Sequence, residues 1–142
     1  MWTRLRIPAL LFSALVAAPS LGAQSTVEHI TLGDQAYAER AVQAALNHYQ
    51  AAIASAPANY EALWKASRAE VDLAEAAGKG RLGDSLMILA ETHAHAAIAA
   101  NPANAEGHFS LARADGRNAL TLGIMDRIKS AKIVRHEALF SL

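Results

Sequence analysis

Apolar positions recur along this chain at helical spacing. Val42, Ala45, Leu46, Tyr49, Ala52 and Ile53 fall at i, i+3, i+4, i+7, i+10 and i+11, a continuous stripe that predicts a helix over residues 41–56. Upstream, Ser25-Thr26-Val27-Glu28 reads as a capping box, with Ser25 at the N-cap and Glu28 at N3. It opens a helix over residues 26–39 that carries Ile30, Gly33 and Tyr37. Neither Gly nor Pro separates these two segments, so a single long helix from Asp34 onward competes with the pair. From Tyr60 the next pattern carries Leu63, Trp64, Ser67, Val71 and Ala74 and stops at Gly78. A fourth helix is predicted from an Asp84 N-cap to about Ala100, burying Leu86, Leu89, Ala90, His93 or Ala94, Ala97 and Ile98. A fifth follows Asn104 with Phe109, Ala112, Gly116, Ala119 and Leu120, closing near Gly123. The last starts near Asp126 and holds Ile128, Ala131, Val134, Ala138 and Leu139. No stretch alternates with period two, and the class is all-α.

One joint occurs twice. Pro57-Ala58-Asn59 and Pro102-Ala103-Asn104 each end a helix and cap the next, with Glu61 and Glu106 in the following first turn. Sliding residues 54–78 onto 99–123 gives 9 identities in 25 and sets Trp64 opposite Phe109. This pattern resembles the tetratricopeptide repeat, a 34-residue helix pair with a small residue mid-way along its first helix. In the first unit Gly33 takes that place, and Ala45, Tyr49, Ala52 and Pro57 take the second-helix signature. In the second, Ser67, Ala90, Ala94, Ala97 and Pro102 do so, with extra length around residues 78–83. In the third, Ala112, Ala131, Arg135 and Ala138 fit, and the closing Pro would be residue 143. The resemblance implies an α-solenoid of about three antiparallel helix pairs: 26–59, 60–104 and 105–142, the last incomplete. The Trp64 and Phe109 helices and the basic helix over residues 126–138 are also similar to the regulator of microtubule dynamics group and its bacterial tetratricopeptide relatives.

Residues 1–23 have the build of a secretory signal peptide: Arg4 and Arg6, an apolar run, then small residues with cleavage expected after Ala23. An uncleaved anchor is the competing reading, although the run is shorter than the roughly 20 apolar residues a spanning helix needs. Residues 24–142 would form the exported repeat domain, in the periplasm or cell envelope, with no stable membrane span. Without the leader the chain has 11 basic and 13 acidic residues, a net charge of about −2, which points away from nucleic acid. There is no Cys, hence no disulfide and no thiolate metal site.

Other chemistry thins out on inspection. Gly78, Gly80 and Gly83 spell a dinucleotide fingerprint, but a helix rather than a strand precedes them, which reads as a flexible inter-helix loop. His93 and His95 point roughly 200° apart on a helix, so one lies at an interface, one in solvent, and no metal or other cofactor is assigned. His136-Glu137 lacks a second His four residues on, and no nucleophile–base arrangement can be nominated, so the chain reads as non-enzymatic. Arg113, Arg117, Arg127, Lys129, Lys132 and Arg135 make the last third basic: either an anion-binding groove or a solvated face paired with Asp115, Asp126 and Glu137.

In this architecture the inner face, lined by first helices, commonly holds a peptide or partner helix. The candidate partner-binding residues are Trp64, Arg68, Phe109, Arg113 and Arg117. The function expected is a protein-interaction scaffold. A small-ligand or anion-binding accessory protein of an envelope transport system is the alternative. The final helix carries too many apolar residues for one buried stripe, which predicts self-association through it or further repeats beyond it.

Overall fold

A computed structural model describes residues 21–119 and 124–140. They form six helices and no strand: α1 (Leu21–Ala38), α2 (Val42–Ser55), α3 (Tyr60–Ala77), α4 (Arg81–Ala100), α5 (Ala105–Ala119) and α6 (Ile124–Phe140). Consecutive helices pack on one another, and α3 also touches α1 and α5. Among the described residues no contact joins α2 to α4 or α4 to α6. The fold is therefore a helical repeat of three pairs whose first helices meet while their second helices do not. A stack of this kind bends toward the side that touches, so α1, α3 and α5 line its inner face. The signal segment lies outside the described residues except for 21–23, which open α1. None of the described helices is long and apolar enough to cross a membrane.

The repeated joint keeps its geometry. Ala56 and Asn101 adopt φ/ψ of −145/86° and −148/85°, and each donates its N–H four residues back, to Ala52 and Ala97. Asn59 then caps α3, its side chain accepting from the Ala62 N–H at 2.9 Å, and Asn104 accepts from the Glu106 N–H at 3.3 Å. Ala45, Ala52, Ala90 and Ala97 are completely buried, as their places in the repeat require, because only small side chains let helices approach closely. Gly33 shows the same constraint from the other side: a Cβ there would overlap the ring of fully buried Tyr49.

The two-helix reading of residues 26–56 holds, for a reason the sequence hides. Arg40 takes a left-handed φ of 62°, the Arg40 N–H bonds the Tyr37 carbonyl, and the Ala41 N–H bonds the Ala36 carbonyl. That is a Schellman ending with arginine where glycine is usual. Other expectations need correction. α1 begins upstream of Ser25, which sits inside the helix and caps nothing, because residues 21–24 already supply helical turns. α4 starts at Arg81 after a Gly80 N-cap, so Asp84 is in its first turn and Gly83 lies within the helix against the Gly78 carbonyl. The added length of the second unit is thus mostly helix, with a turn of only residues 78–80. Leu89 is exposed because Ala90 and Ala94 face inward instead, and Phe109 stands out from the core. α6 begins at Ile124, two residues early, and none of its described side chains is fully buried. Val134 and Ala138 are half-buried, while Ile128, Ala131 and Leu139 face outward. Leu120 and Gly123 lie outside the described residues.

Candidate functional site

The inner face is built from two helix rows in register. On α3, Trp64, Arg68 and Asp72 follow one another at i, i+4 and i+8; on α5, Phe109, Arg113 and Arg117 do the same. The slide that defines the repeat pairs Trp64 with Phe109 and Arg68 with Arg113. The structure brings these four together. With Val71, Glu106 and Ser110 they line a cleft of about 80 Å³ between α3 and α5. Phe109 is 54% exposed beside it.

Aromatic rings and charges fix this surface. The Arg68 guanidinium lies over the Tyr37 ring at 4.0 Å and near the Trp64 ring at 5.1 Å, a geometry in which a cation meets the negative faces of two rings. Asp72 accepts from both the Tyr37 hydroxyl and the Arg113 guanidinium, so three helices, α1, α3 and α5, meet at one carboxylate. Burial, then the bond to Asp72, raises the Tyr37 pKa; for Arg113 burial opposes the charge, and the Asp72 bond overcomes it and raises the pKa. Arg117 sits further along. It pairs with Glu75 at 2.7 Å and lines a separate hollow at the glycine turn, with Lys79, Gly83, Asp84 and Met87. Neither Arg113 nor Arg117 pairs with the acids expected for them. Their partners come from α3, because stacking of first helices places Asp72 and Glu75 nearer than Asp115 or Glu137. Lys129 does pair with Asp126, at 3.6 Å.

Three buried polar groups escaped the sequence reading. Lys65 is 6% exposed between Asp34 (2.5 Å) and Glu61 (2.6 Å), and Asp34 also accepts from the Tyr49 hydroxyl at 2.9 Å. Glu70 is fully buried with one oxygen on His93 Nδ1 at 2.8 Å; burial raises its pKa, and His93 opposes the rise. His93 is thus the interface histidine and His95 the exposed one, as the helical angle required. His108 joins the last two helices. Its Nε2 bonds the Pro102 carbonyl at 2.9 Å, its Nδ1 bonds Glu137 at 2.5 Å, and its ring stacks on Phe140 at 3.7 Å. A carbonyl and a carboxylate both only accept, so both nitrogens donate and the ring is an imidazolium. Burial works against that charge, but the Glu137 and Pro102 bonds outweigh it and raise the pKa. Asp115 nearby has its pKa raised to about 6, first by burial and then by Glu91. Among the described residues no three His, Asp or Glu side chains converge as a metal site.

The signal for Asp72 was present in its position one turn after Arg68 on the same stripe. Glu70 and His108 gave none, since their partners His93 and Glu137 lie 23 and 29 residues away, and Lys65 offered only its i,i+4 neighbour Glu61, not Asp34, 31 residues away.

Fold and face together define an α-helical repeat protein with an aromatic and charged cleft on its inner side. The profile of the family described as regulator of microtubule dynamics protein 1-3 matches residues 29–142. The chain belongs to that family. No curated protein and no solved structure matches it significantly.

Proposed function

We propose that this chain is a non-enzymatic interaction scaffold of the tetratricopeptide type, exported to the periplasm or cell envelope. It holds a peptide or helix of a partner protein along its inner face. One observation carries the reading: Trp64, Arg68, Phe109 and Arg113, from two helices, converge on one cleft with Phe109 exposed beside it. Aromatic and arginine side chains dominate the binding energy of protein interfaces. At about 80 Å³ the cleft falls well below the roughly 300–1,000 Å³ of small-molecule sites, which favours a partner side chain.

The alternative, a small-ligand accessory protein, draws on the hollow of about 340 Å³ at the glycine turn, where Lys79 and Arg117 stand over Ala74 and Met87. A photo-crosslinking residue placed at position 109, and separately at exposed Gln50 on α2, distinguishes the two. A discrete protein adduct from position 109 and none from position 50 is expected in living cells. Equal labelling from both positions, or none from 109, refutes the scaffold. Export is checked on the same cells by fractionation and N-terminal sequencing. A full-length cytosolic product refutes that part.

A further inference from the structure

Each second helix of this stack gives one face to the first helix of the next pair. On α2, Ala45, Leu46, Tyr49 and Ala52 meet Ala62, Ala66 and Ala69 of α3. On α4, Ala97 and Ile98 meet Gly107, whose Cβ position would be 3.3 Å from Ile98, and Ala90 meets Ala114 in one buried cluster. Glu91, on that same face, accepts from the Asn118 amide at 2.7 Å. The repeat register carries this receiving face onto α6: Ala90 to Ala131, Glu91 to Lys132, Ala94 to Arg135, Ala97 to Ala138, Ile98 to Leu139 and Met87 to Ile128. There it is uncovered. Ile128 is 51% exposed and Leu139 60%, with Ala131, Lys132 and Arg135 exposed between them.

We propose that this face of α6 docks a helix of a partner protein, running antiparallel to α6, with small residues seven apart and a carboxylate eleven positions after the first. The pattern follows from the α4–α5 contact. Gly107 sets a small residue against Leu139, Ala114 sets another against Ala131, and Asn118 marks the place that faces position 132. On α4 that position is an acid that takes a hydrogen from an amide; on α6 it is Lys132, with Arg135 beside it, so the complementary group is a carboxylate. A second copy of this chain does not fit. Its own small pairs, Ala62 with Ala69 and Gly107 with Ala114, are already buried in the stack. At the corresponding places α1 carries Glu28 and Gln35, too large for the close approach, and α6 against α6 would bring Lys132 and Arg135 against their like. The surface is separate from the Trp64–Phe109 cleft, so the proposal stands whether or not that cleft binds protein.

The probe is a fluorescent, helix-stapled peptide with the sequence of residues 105–119 carrying Asn118→Glu, titrated against the whole chain by anisotropy. Saturable binding is expected, weakened at least tenfold by Leu139→Asp and by Lys132→Glu. For Lys132→Glu it should be restored by a peptide carrying Asn118→Lys. Lys132 is exposed, and an unchanged melting profile confirms that this variant folds. The proposal is overturned by absent binding, or by binding indifferent to Lys132→Glu. It is equally overturned if phosphatidylglycerol vesicles or a second copy of the chain, but not the peptide, engage α6 in a Leu139-dependent way.

Discussion

Removing the charge that holds α6 should release that helix while leaving the rest of the stack folded. Among its described side chains α6 buries none fully, and Val134 and Ala138 are half-covered, so apolar contact contributes little to its docking. A polar fastening is added by the His108 clasp: an imidazolium 7% exposed, bonded to Glu137 and stacked on Phe140. A hydrogen bond to a charged group contributes about 1.5–3 kcal/mol net. At about 1.4 kcal/mol per decade, its loss raises the opening equilibrium of α6 roughly 10- to 150-fold. The folded pKa of His108 is raised, so its contribution is complete below the unfolded value of about 6.5 and is lost as pH rises through the folded one. Asp115 acts in the same direction: its pKa of about 6 means that ionisation costs stability as pH climbs from about 4 to 6. Hydrogen exchange read by mass spectrometry, corrected for intrinsic rates, should therefore show residues 124–140 losing protection as the pH rises above about 6.5, with α1 to α4 unchanged. Glu137→Gln should show low protection of α6 below and above that pH. Protection of α6 that is independent of pH, or equal in Glu137→Gln and the parent, would refute the clasp.

Three further outcomes are expected. Gly33→Ala drives a Cβ into the Tyr49 ring, which cannot retreat because its hydroxyl is held by Asp34, and overpacking of this kind costs about 1–3 kcal/mol. Calorimetry should show a clear fall in Tm; an unchanged Tm would mean that the α1–α2 contact is looser than described. Arg40→Gly removes a left-handed strain of about 1–2 kcal/mol and should raise the chemical-denaturation midpoint, whereas a lower midpoint would mean that the Arg40 side chain is itself stabilising. Asp115→Asn relieves a carboxyl whose pKa is pushed up to about 6, so it should stabilise the chain by about 1–3 kcal/mol at neutral pH and by nothing below pH 4. Stabilisation equal at both pH values would remove the electrostatic account.

What the sequence made legible was whatever depends on spacing within one element. The alanine stripes, the Pro-Ala-Asn joints and the matched positions of Trp64, Arg68, Phe109 and Arg113 could all be read, because a helix repeats its facing residues at fixed intervals. Arg117 was grouped with them on the same grounds and lies apart, since two turns along α5 carry it to the glycine turn. Helix beginnings were read less well. Ser25 and Asp84 have the chemistry of caps, but a cap is set by where the preceding turn stops hydrogen bonding, and both helices start earlier. Buried charges were read poorly. Glu70 and His108 meet His93 and Glu137 from other helices, and Lys65 shows in its own helix only the i,i+4 partner Glu61, not Asp34 on α1, because no local pattern announces a partner from another helix.

The divergence among the repeats has a packing logic. In the first pair Gly33 leaves room that the Tyr49 ring fills, the smallest residue against a large one. In the second pair both partners change together: Ser67 replaces the glycine, Ala94 replaces the ring, and the Ser67 hydroxyl reaches the Ala90 carbonyl at 2.8 Å. Volume is exchanged across the interface, and all four residues stay buried. In the third pair the exchange lapses. Ala112 takes the small place, but its counterpart is Arg135, which is exposed and contributes no bulk to the interface. The pair loses the side chain that would draw α6 in, which accounts for the lack of a fully buried residue among the described side chains of α6. It follows that α6 needs a polar fastening where its predecessors use packing, and His108 with Glu137 supplies one. The same substitution that loosens the last helix also sets Arg135 on its outward face, beside Lys132.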